Sequence, residues 1–300
     1  MDSAPHYRGR FAPSPTGPLH FGSLIAAAGS YLEARARCGA WLVRMEDLDA
    51  PRTMPGASDE ILRQLDSFGL EWDGPVVYQS ARIEAYRKAF EDLRIRGAVY
   101  PCFCSRREIE DSAARAGARS NSRYPGTCRE RPPVPDRKPA WRIRTHDEPI
   151  RFRDGVRGIR EQRVESECGD FVLLRADGVF AYQLAVVVDD AAQGVTAIVR
   201  GADLLDSTFR QILLQQALGL PQLEYLHLPV ATNANGEKLS KQTLAVPLNA
   251  ADPTPELWRA LRFLGQCPPR ELARGSPGLL WQWARKNWDA GRIRPEGSLF

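Results

Sequence analysis

Arg10-Phe11-Ala12-Pro13-Ser14-Pro15-Thr16-Gly17-Pro18-Leu19-His20-Phe21-Gly22-Ser23 is the stretch on which the fold turns. Before it, Tyr7 to Phe11 reads as a short strand. Ala12 to Pro18 is a loop crowded with proline and glycine. From about His20 to Cys38, Leu24, Ala27, Ala28, Tyr31 and Ala34 recur at spacings of three and four, which predicts a helix. Gly39 is expected to end it. A turn that opens onto a helix N-terminus presents unpaired backbone N–H groups to an anion. His20 can donate to a phosphate there, and Gly22 lets a ligand come close to the backbone. An ordinary strand-to-helix turn has the same look, so the stretch does not decide the chemistry alone.

Working outward, Ala40 to Met45 reads as a second strand that ends in acid, Glu46-Asp47-Leu48-Asp49. Two amphipathic helices follow. One covers about 58–68, with Ile61, Leu62, Leu65 and Phe68 on one face; the other covers about 80–96, with Ile83, Tyr86, Phe90 and Leu93. Strands alternating with helices argue for a parallel α/β sheet. Roughly 100–180 is richer in Arg, Pro and Gly and reads as an insertion. Within it, Asp177-Gly178 signals a hairpin between 171–175 and 179–188. The α/β pattern resumes with a strand at Thr196–Arg200, a helix from about Ser207 to Leu218 closed by Gly219, and a strand at Tyr225–Leu228, with an Asn235-Gly236 turn beyond. In the last 50 or so residues, Thr254 and Pro255 open a helix with Trp258, Leu261 and Leu264 on its buried face, and Trp281, Ala284 and Trp288 form a second stripe.

Composition narrows the class. The chain has 300 residues, 43% hydrophobic and 26% charged, which excludes collagen-like, coiled-coil and disordered chains. Apolar runs such as 184–188 fall far short of the ~20 residues that cross a bilayer. The first residues carry neither a basic nor an apolar leader segment, so a soluble, cytoplasmic protein is the default expectation; a monomer is also expected. Lys and Arg number 41 against 37 acids, net +4. That excess permits an anionic partner without demanding one. Six cysteines in a chain of this length suggest free thiols or metal ligands rather than a disulfide scaffold.

After the last predicted strand comes Lys238-Leu239-Ser240-Lys241-Gln242, two lysines three apart that can face one pyrophosphate. Together with His20-Phe21-Gly22-Ser23, this resembles the HIGH and KMSKS signatures of class I aminoacyl-tRNA synthetases. Ser23 and Gln242 depart from the last position of each. Further blocks resemble the glutamyl-tRNA synthetase catalytic core over about residues 7–245. They are 10–17, Arg44-Met45-Glu46-Asp47-Leu48-Asp49, 182–190 and Val199-Arg200-Gly201-Ala202-Asp203-Leu204.

The resemblance implies a Rossmann-like parallel sheet, its halves at 1–99 and 181–245, split by an insertion with a zinc cluster at 100–180 and followed by a short helical region at 246–300. It implies glutamate binding by Arg10, Phe11, Ala12, Pro13, Ser14, Glu46, Tyr182 and Arg200. Arg10 and Arg200 would read carboxylates through bidentate forks, and Glu46 would receive the α-ammonium group. ATP, with Mg²⁺, would be held by His20, Gly22 and Lys241, and His20, Lys238 and Lys241 would be the catalytic set. The full-length enzymes carry Asn where this chain has Val186, so a polar contact to glutamate is expected to be missing.

Cys102-Phe103-Cys104, Tyr124 and Cys128 form a third motif. By themselves three thiols leave a zinc site one ligand short. Resemblance to truncated paralogues of glutamyl-tRNA synthetase implies that Tyr124 completes one structural Zn²⁺ site. Cys38, Cys168 and Cys267 are expected to be structural. The chain ends 58 residues past Gln242, too short for an anticodon module by the ~100-residue scale of domains. The truncated paralogues glutamylate queuosine at the wobble position of tRNA(Asp). The implied partners are therefore glutamate, ATP and that anticodon stem-loop, with Arg106, Arg107, Arg129 and Arg131 able to contact its backbone. Three alternatives stay open: a compact enzyme charging the 3′ end of tRNA(Glu), a non-catalytic RNA-binding paralogue, and a small-molecule adenylyl-transfer ligase.

Overall fold

A computed structural model describes residues 6–115, 123–132, 134, 136–231 and 246–296. Lys238, Lys241, Gln242 and the Asn235-Gly236 turn lie outside the described residues.

Three parallel strands open the chain: β1 (Arg8–Phe11), β2 (Ala40–Met45) and β3 (Val77–Tyr78), in the order β1-β2-β3. The helix α1 (Phe21–Ala36) links the first two, and α2 (Ala57–Ser67) the next. After α3 (Ile83–Ile95), β4 (Val99–Cys102), α4 (Arg106–Arg115) and β5 (Ala140–Ile143) begin the insertion. There follow β6 (Pro149–Asp154), β7 (Gly158–Arg163), the short α5 (Val164–Glu167) and β8 (Val172–Leu174). Then come α6 (Tyr182–Ala192), β9 (Ala197–Gly201), α7 (Leu205–Leu218) and β10 (Glu224–Leu228), and the C-terminal α8 (Thr254–Phe263) and α9 (Pro277–Asn287). β10 lies parallel to both β9 and β6. The two halves meet where Thr196, just before β9, donates its N–H to the Arg8 carbonyl at 2.9 Å.

Three local expectations need correction. Gly39 does not cap α1. Cys38 takes the left-handed position at φ 51°, and Gly39 is required instead because a Cβ there would sit 2.4 Å from the Tyr7 carbonyl oxygen. The hairpin at Asp177-Gly178 has only a single bridge, Leu174 to Phe180, on its return arm. From Tyr182 the chain is helical; a continuous apolar run fits a buried helix as well as a strand, and here Leu184, Ala185 and Val186 are fully buried in α6. Within 100–180, only β4, β5 and β8 form a separate antiparallel sheet, whereas the β6–β7 hairpin extends the core sheet through β10. The strict alternation of β6 explains this, because Ile150, Phe152 and Asp154 all point inward.

One apolar cluster joins α1 to β2, α8 and α9 through Tyr31, Trp41, Leu257 and Trp281. Leu257, rather than Trp258, is the fully buried residue of that turn of α8. The Trp281 and Trp288 indoles donate to the Phe68 carbonyl and the Glu33 carboxylate at 2.7 and 2.8 Å, fastening the C-terminal region over α1 and α2. A second cluster packs α3, α6 and α7 against the sheet. Among the described residues no helix is long and apolar enough to cross a membrane.

Candidate active site

The loop from Phe11 to Leu19 and the first turn of α1 form one wall of a cleft of about 440 Å³, with Pro13, Ser14, His20 and Gly22 in its lining. The opposite wall comes from Gly201, Asp203 and the residues after β10, Pro229 to Ala231. His20 is the N-cap of α1: its Nδ1 accepts the Ser23 N–H at 3.3 Å. A neutral ring in that pose carries its proton on Nε2. Gly22, Ser23 and the rest of the first turn leave N–H groups that an anion can use. Pro247 bridges to His20, and the Leu248 N–H donates to the Leu19 carbonyl at 3.0 Å. Ala231, in the lining, and Pro247, bridged to His20, both lie beside this cleft.

A second cleft of about 340 Å³ shares Phe11, Ser14, Ala26 and Gly201 with the first. Arg10, Ala12, Glu46, Tyr182 and Arg200 also line it, with Val199 and Leu204. These side chains arrive from β1, the end of β2, α6 and β9. The residues picked from sequence for glutamate therefore converge, apart from Pro13, which faces the first cleft. Val186 lies one turn beyond Tyr182 and is wholly buried in the second apolar cluster.

Behind the second cleft is a buried charge network. Arg10 donates from Nε to Asp190 Oδ1 at 3.0 Å and from Nη2 to Oδ2 at 3.5 Å. Arg44, fully buried, reaches Asp190 at 2.8 Å, Glu46 at 3.4 Å and the Gln193 side chain at 2.7 Å. Asp189 accepts from Arg82 at 2.5 Å, Tyr86 at 2.7 Å and Gln79 at 2.9 Å. Three guanidinium groups thus balance three carboxylates, the condition under which buried charge is tolerated. Burial alone would raise the Asp190 pKa; Arg10 and Arg44 overcome it and hold the group below the usual carboxylate range. Glu46 goes the other way. Burial raises its pKa despite Arg44 and Arg10, so an arriving ammonium group would favour its ionised form. Arg44, Asp189 and Asp190 were quoted in sequence blocks without a role. Two adjacent acids inside an apolar run were the available signal.

Arg200 is equally constrained. Its Nη2 donates to Thr208 Oγ1 and Gln211 Oε1, both at 2.8 Å, its Nε faces His227 Nε2 at 3.2 Å, and its Nη1 lies 3.5 Å from the Tyr182 hydroxyl. His227 in turn meets Asp154 at 2.6 Å. Neither His227 nor Asp154 was singled out from sequence; a histidine inside an apolar strand was the signal for the first.

In the insertion, the Sγ atoms of Cys102, Cys104 and Cys128 lie within 4.8 Å of one another. Cys104 and Cys128 are 3.4 Å apart, close to the ~3.8 Å between two thiolates on a tetrahedral zinc with ~2.3 Å bonds. The Tyr124 hydroxyl oxygen is 3.4 Å from Cys102 Sγ and 3.9 Å from Cys104 Sγ, and accepts the Cys128 N–H at 2.8 Å. Three thiols and a phenol at these distances fit a four-ligand metal site. Burial and the neighbouring Cys128 push the Cys104 thiol up to about 12, so without a cation it keeps its proton at neutral pH, and a metal held here would have to displace it. Of the other cysteines, Cys38 and Cys267 are exposed and only Cys168 is partly covered, so a packing role does not hold for the first two.

Arg129 is not a solvated contact residue. It donates twice to Asp170 at 2.6 and 2.7 Å and once to Glu165 at 2.7 Å, tying the segment after Cys128 to β8. Arg107 and Arg131 are exposed. Of Arg106 only the backbone is described, at the start of α4.

Comparison with known proteins agrees with this geometry. Residues 6–265 match the family model described as tRNA synthetases class I (E and Q), catalytic domain. The glutamyl-Q tRNA(Asp) synthetase of Dechloromonas aromatica is 60% identical over 98% of this chain and 97% of its own length. That of Aromatoleum aromaticum is 59% identical over 96% and 90%. A glutamate tRNA ligase from Elizabethkingia meningosepticum, solved in complex with its amino acid, superposes with a TM-score of 0.79 at 26% identity. The match covers 97% of this chain but only 66% of that enzyme, so this chain spans just under two thirds of its length. On a family match over residues 6–265 and identities of this size over nearly the whole length, the chain belongs to the glutamyl-Q tRNA(Asp) synthetase family within the class I tRNA synthetases.

Proposed function

We propose that this protein activates glutamate with ATP and transfers the glutamyl group to queuosine at the wobble position of the tRNA(Asp) anticodon. The observation that carries the reading is the common wall of the two clefts. Phe11, Ser14 and Gly201 line both, so a carboxylate in one lies beside phosphates in the other. Arg10 and Arg200 bind the carboxylates of glutamate, Glu46 takes its ammonium group, and Tyr182 and Ser14 shape the pocket. The α-carboxylate attacks the α-phosphorus of ATP and pyrophosphate leaves. His20 and the α1 N-terminus stabilise the charge that develops on the phosphates, and Lys238 and Lys241 add positive charge to the same task. A hydroxyl of the queuosine cyclopentene-diol then attacks the glutamyl carbonyl and AMP leaves. Catalysis rests on positioning and charge neutralisation, with Mg²⁺ accompanying ATP.

A third cleft of about 400 Å³ shares Ser14, Glu46 and Tyr182 with the glutamate cleft and has Arg52 and Arg175 in its lining. These arginines, 75% and 46% exposed at their side chains, suit the phosphates of an incoming anticodon loop. One Zn²⁺ on Cys102, Cys104, Cys128 and Tyr124 would brace the insertion, where Arg142 lies over the Tyr124 ring at 3.9 Å.

The test is charging of tRNA(Asp), with and without queuosine, by labelled glutamate. Label is expected only on the queuosine-containing tRNA, on the anticodon fragment. Equal labelling of both forms, or label only on the 3′ end of tRNA(Glu), would overturn the reading.

A further inference from the structure

Arg200 and His227 are register partners on the parallel strands β9 and β10, and Asp154 reaches His227 from β6, beyond β10. The Asp154 carboxylate accepts the backbone N–H groups of His227, Val156 and Arg157 at 2.8 to 3.3 Å, the pattern of an anion. An ionised carboxylate has no proton to give, so at the 2.6 Å contact the imidazole is the donor and Nδ1 carries hydrogen. A neutral ring then offers a lone pair at Nε2, where the Arg200 Nε–H arrives at 3.2 Å and the Thr208 hydroxyl at 3.0 Å. The other tautomer would set N–H against N–H. An imidazolium would set charge against charge, in a place where His227 is 0% exposed.

With Nε on His227 and Nη2 on Thr208 and Gln211, the edge of Arg200 that remains for a ligand is Nη1, beside the Tyr182 hydroxyl in the second cleft. We infer that His227, locked by Asp154 as the neutral Nδ1–H tautomer, is a positioning residue that aims Arg200 at a carboxylate of glutamate, and that its protonation releases that aim in acid. This rests on the reading of the second cleft as the glutamate site.

The surroundings favour the neutral ring. Burial lowers the His227 pKa, Asp154 opposes, and Arg200 and Arg157 lower it further, leaving it below the ordinary histidine value. Facing it are Asp154 from β6, Arg157 from the turn after it and Arg200 from β9. Thr208 and Gln211 of α7 surround Arg200 as neutral groups, and Tyr225, two residues back on β10, stacks near the ring at 6.2 Å. The γ-carboxyl of free glutamate titrates near pH 4.3, so acid effects between about pH 5 and 6.5 belong to the protein.

The experiment uses the full chain and glutamate-dependent ATP–pyrophosphate exchange. His227→Phe keeps ring size and removes the acceptor; it is expected to raise the KM for glutamate roughly tenfold or more, as for loss of a charge-assisted hydrogen bond, with the KM for ATP unchanged. His227→Gln, whose amide oxygen can meet the Arg200 Nε–H, is expected to restore most of that loss. In the unsubstituted protein the glutamate KM should climb as pH falls through the depressed His227 value, below about 6.5, and His227→Gln should climb less steeply, keeping only the part that protonation of Glu46 supplies. A normal glutamate KM in His227→Phe, or an identical acid limb in His227→Gln, overturns the inference. Should the Phe variant fail to fold, the Gln variant and the pH profile decide it. Imidazole ¹⁵N spectra, with His227 assigned by its substitution, give a readout independent of substrate: hydrogen on Nδ1 alone near neutral pH is expected, and hydrogen on Nε2 overturns it. Absence of any glutamate-dependent exchange by the unsubstituted protein would count against the proposed function, while the spectra still decide the tautomer.

Discussion

Arg10 on β1 and Asp190 on α6 lie 180 residues apart in sequence and form a buried pair, Nε to Oδ1 at 3.0 Å, with 3% of each residue's surface left to solvent or close to it. Asp190 also holds Arg44 at 2.8 Å, so one carboxylate fixes two guanidinium groups behind the second cleft. Asp190→Ala strands both charges in the interior. We expect a loss of about 3 kcal/mol in unfolding free energy by urea titration, the scale for removing one partner of a buried pair, together with a higher glutamate KM. Stability within about 0.5 kcal/mol of the parent, the range of an ordinary surface change, would contradict the network.

His20 serves two purposes that substitution can separate. Asn retains an oxygen acceptor at the N-cap and keeps the Ser23 N–H satisfied. His20→Asn should therefore leave thermal stability near the parent and slow pyrophosphate exchange about 100-fold, the scale for one lost donor to developing charge. His20→Ala should show the same slowing plus about 1 kcal/mol of lost stability. Equal exchange rates in parent and Asn variant would remove His20 from the chemistry.

The cysteine cluster predicts about one zinc per chain in the purified protein, with Cys104→Ser losing it by atomic absorption. Tyr124→Phe keeps the ring beneath Arg142 and drops only the phenol oxygen. It should bind zinc more weakly yet still fold. Full metal content in Cys104→Ser would exclude that thiol as a ligand.

Stability should fall in acid in two stages. His227 has a folded pKa below its unfolded value, so the folded state binds fewer protons there; its contribution is complete above about pH 6.5 and declines as pH drops. Asp154, Asp170 and Asp190 also titrate lower when folded, so theirs is intact above about pH 3.9 and is lost as pH falls through the folded values. Glu46, raised by burial, works in the opposite sense above its ordinary value of about 4.3, so it offsets part of the first stage rather than the second. Urea midpoints measured from about pH 7.5 to 3 test this; a midpoint that rises between about pH 6.5 and 5 would contradict the first stage.

The C-terminal region is fastened by aromatic packing. Trp281 is 3% exposed, meets the Tyr31 ring at 4.9 Å and donates to the Phe68 carbonyl. Trp281→Ala should cost about 3 to 5 kcal/mol and expose α1 to limited proteolysis. A Tm unchanged in calorimetry would show that the region is not part of the cooperative core.

Much of the site was legible because its elements are short and chemically marked. Prolines and glycines before His20, acids ending β2, and thiols two residues apart each point to a local geometry. Where reading failed, local pattern was silent or ambiguous. The run at 184–188 is apolar on every side, and periodicity cannot tell a buried helix from a buried strand. The hairpin at 149–163 lies amid Arg-rich sequence, yet its inward face belongs to the core sheet. Arg129 looked like a free cation and is tied to Asp170, 41 residues on.

Sequence alone determined which groups can bind phosphate, carboxylate and metal, since those capacities reside in single side chains and in the turn that opens α1. Only tertiary structure decided their partners: Asp190 for Arg10, Asp154 for His227, His227 for Arg200. Those pairings join strands and helices up to 180 residues apart. Burial removes water as an alternative partner, so each charge must be met by whichever group the folded chain brings within reach.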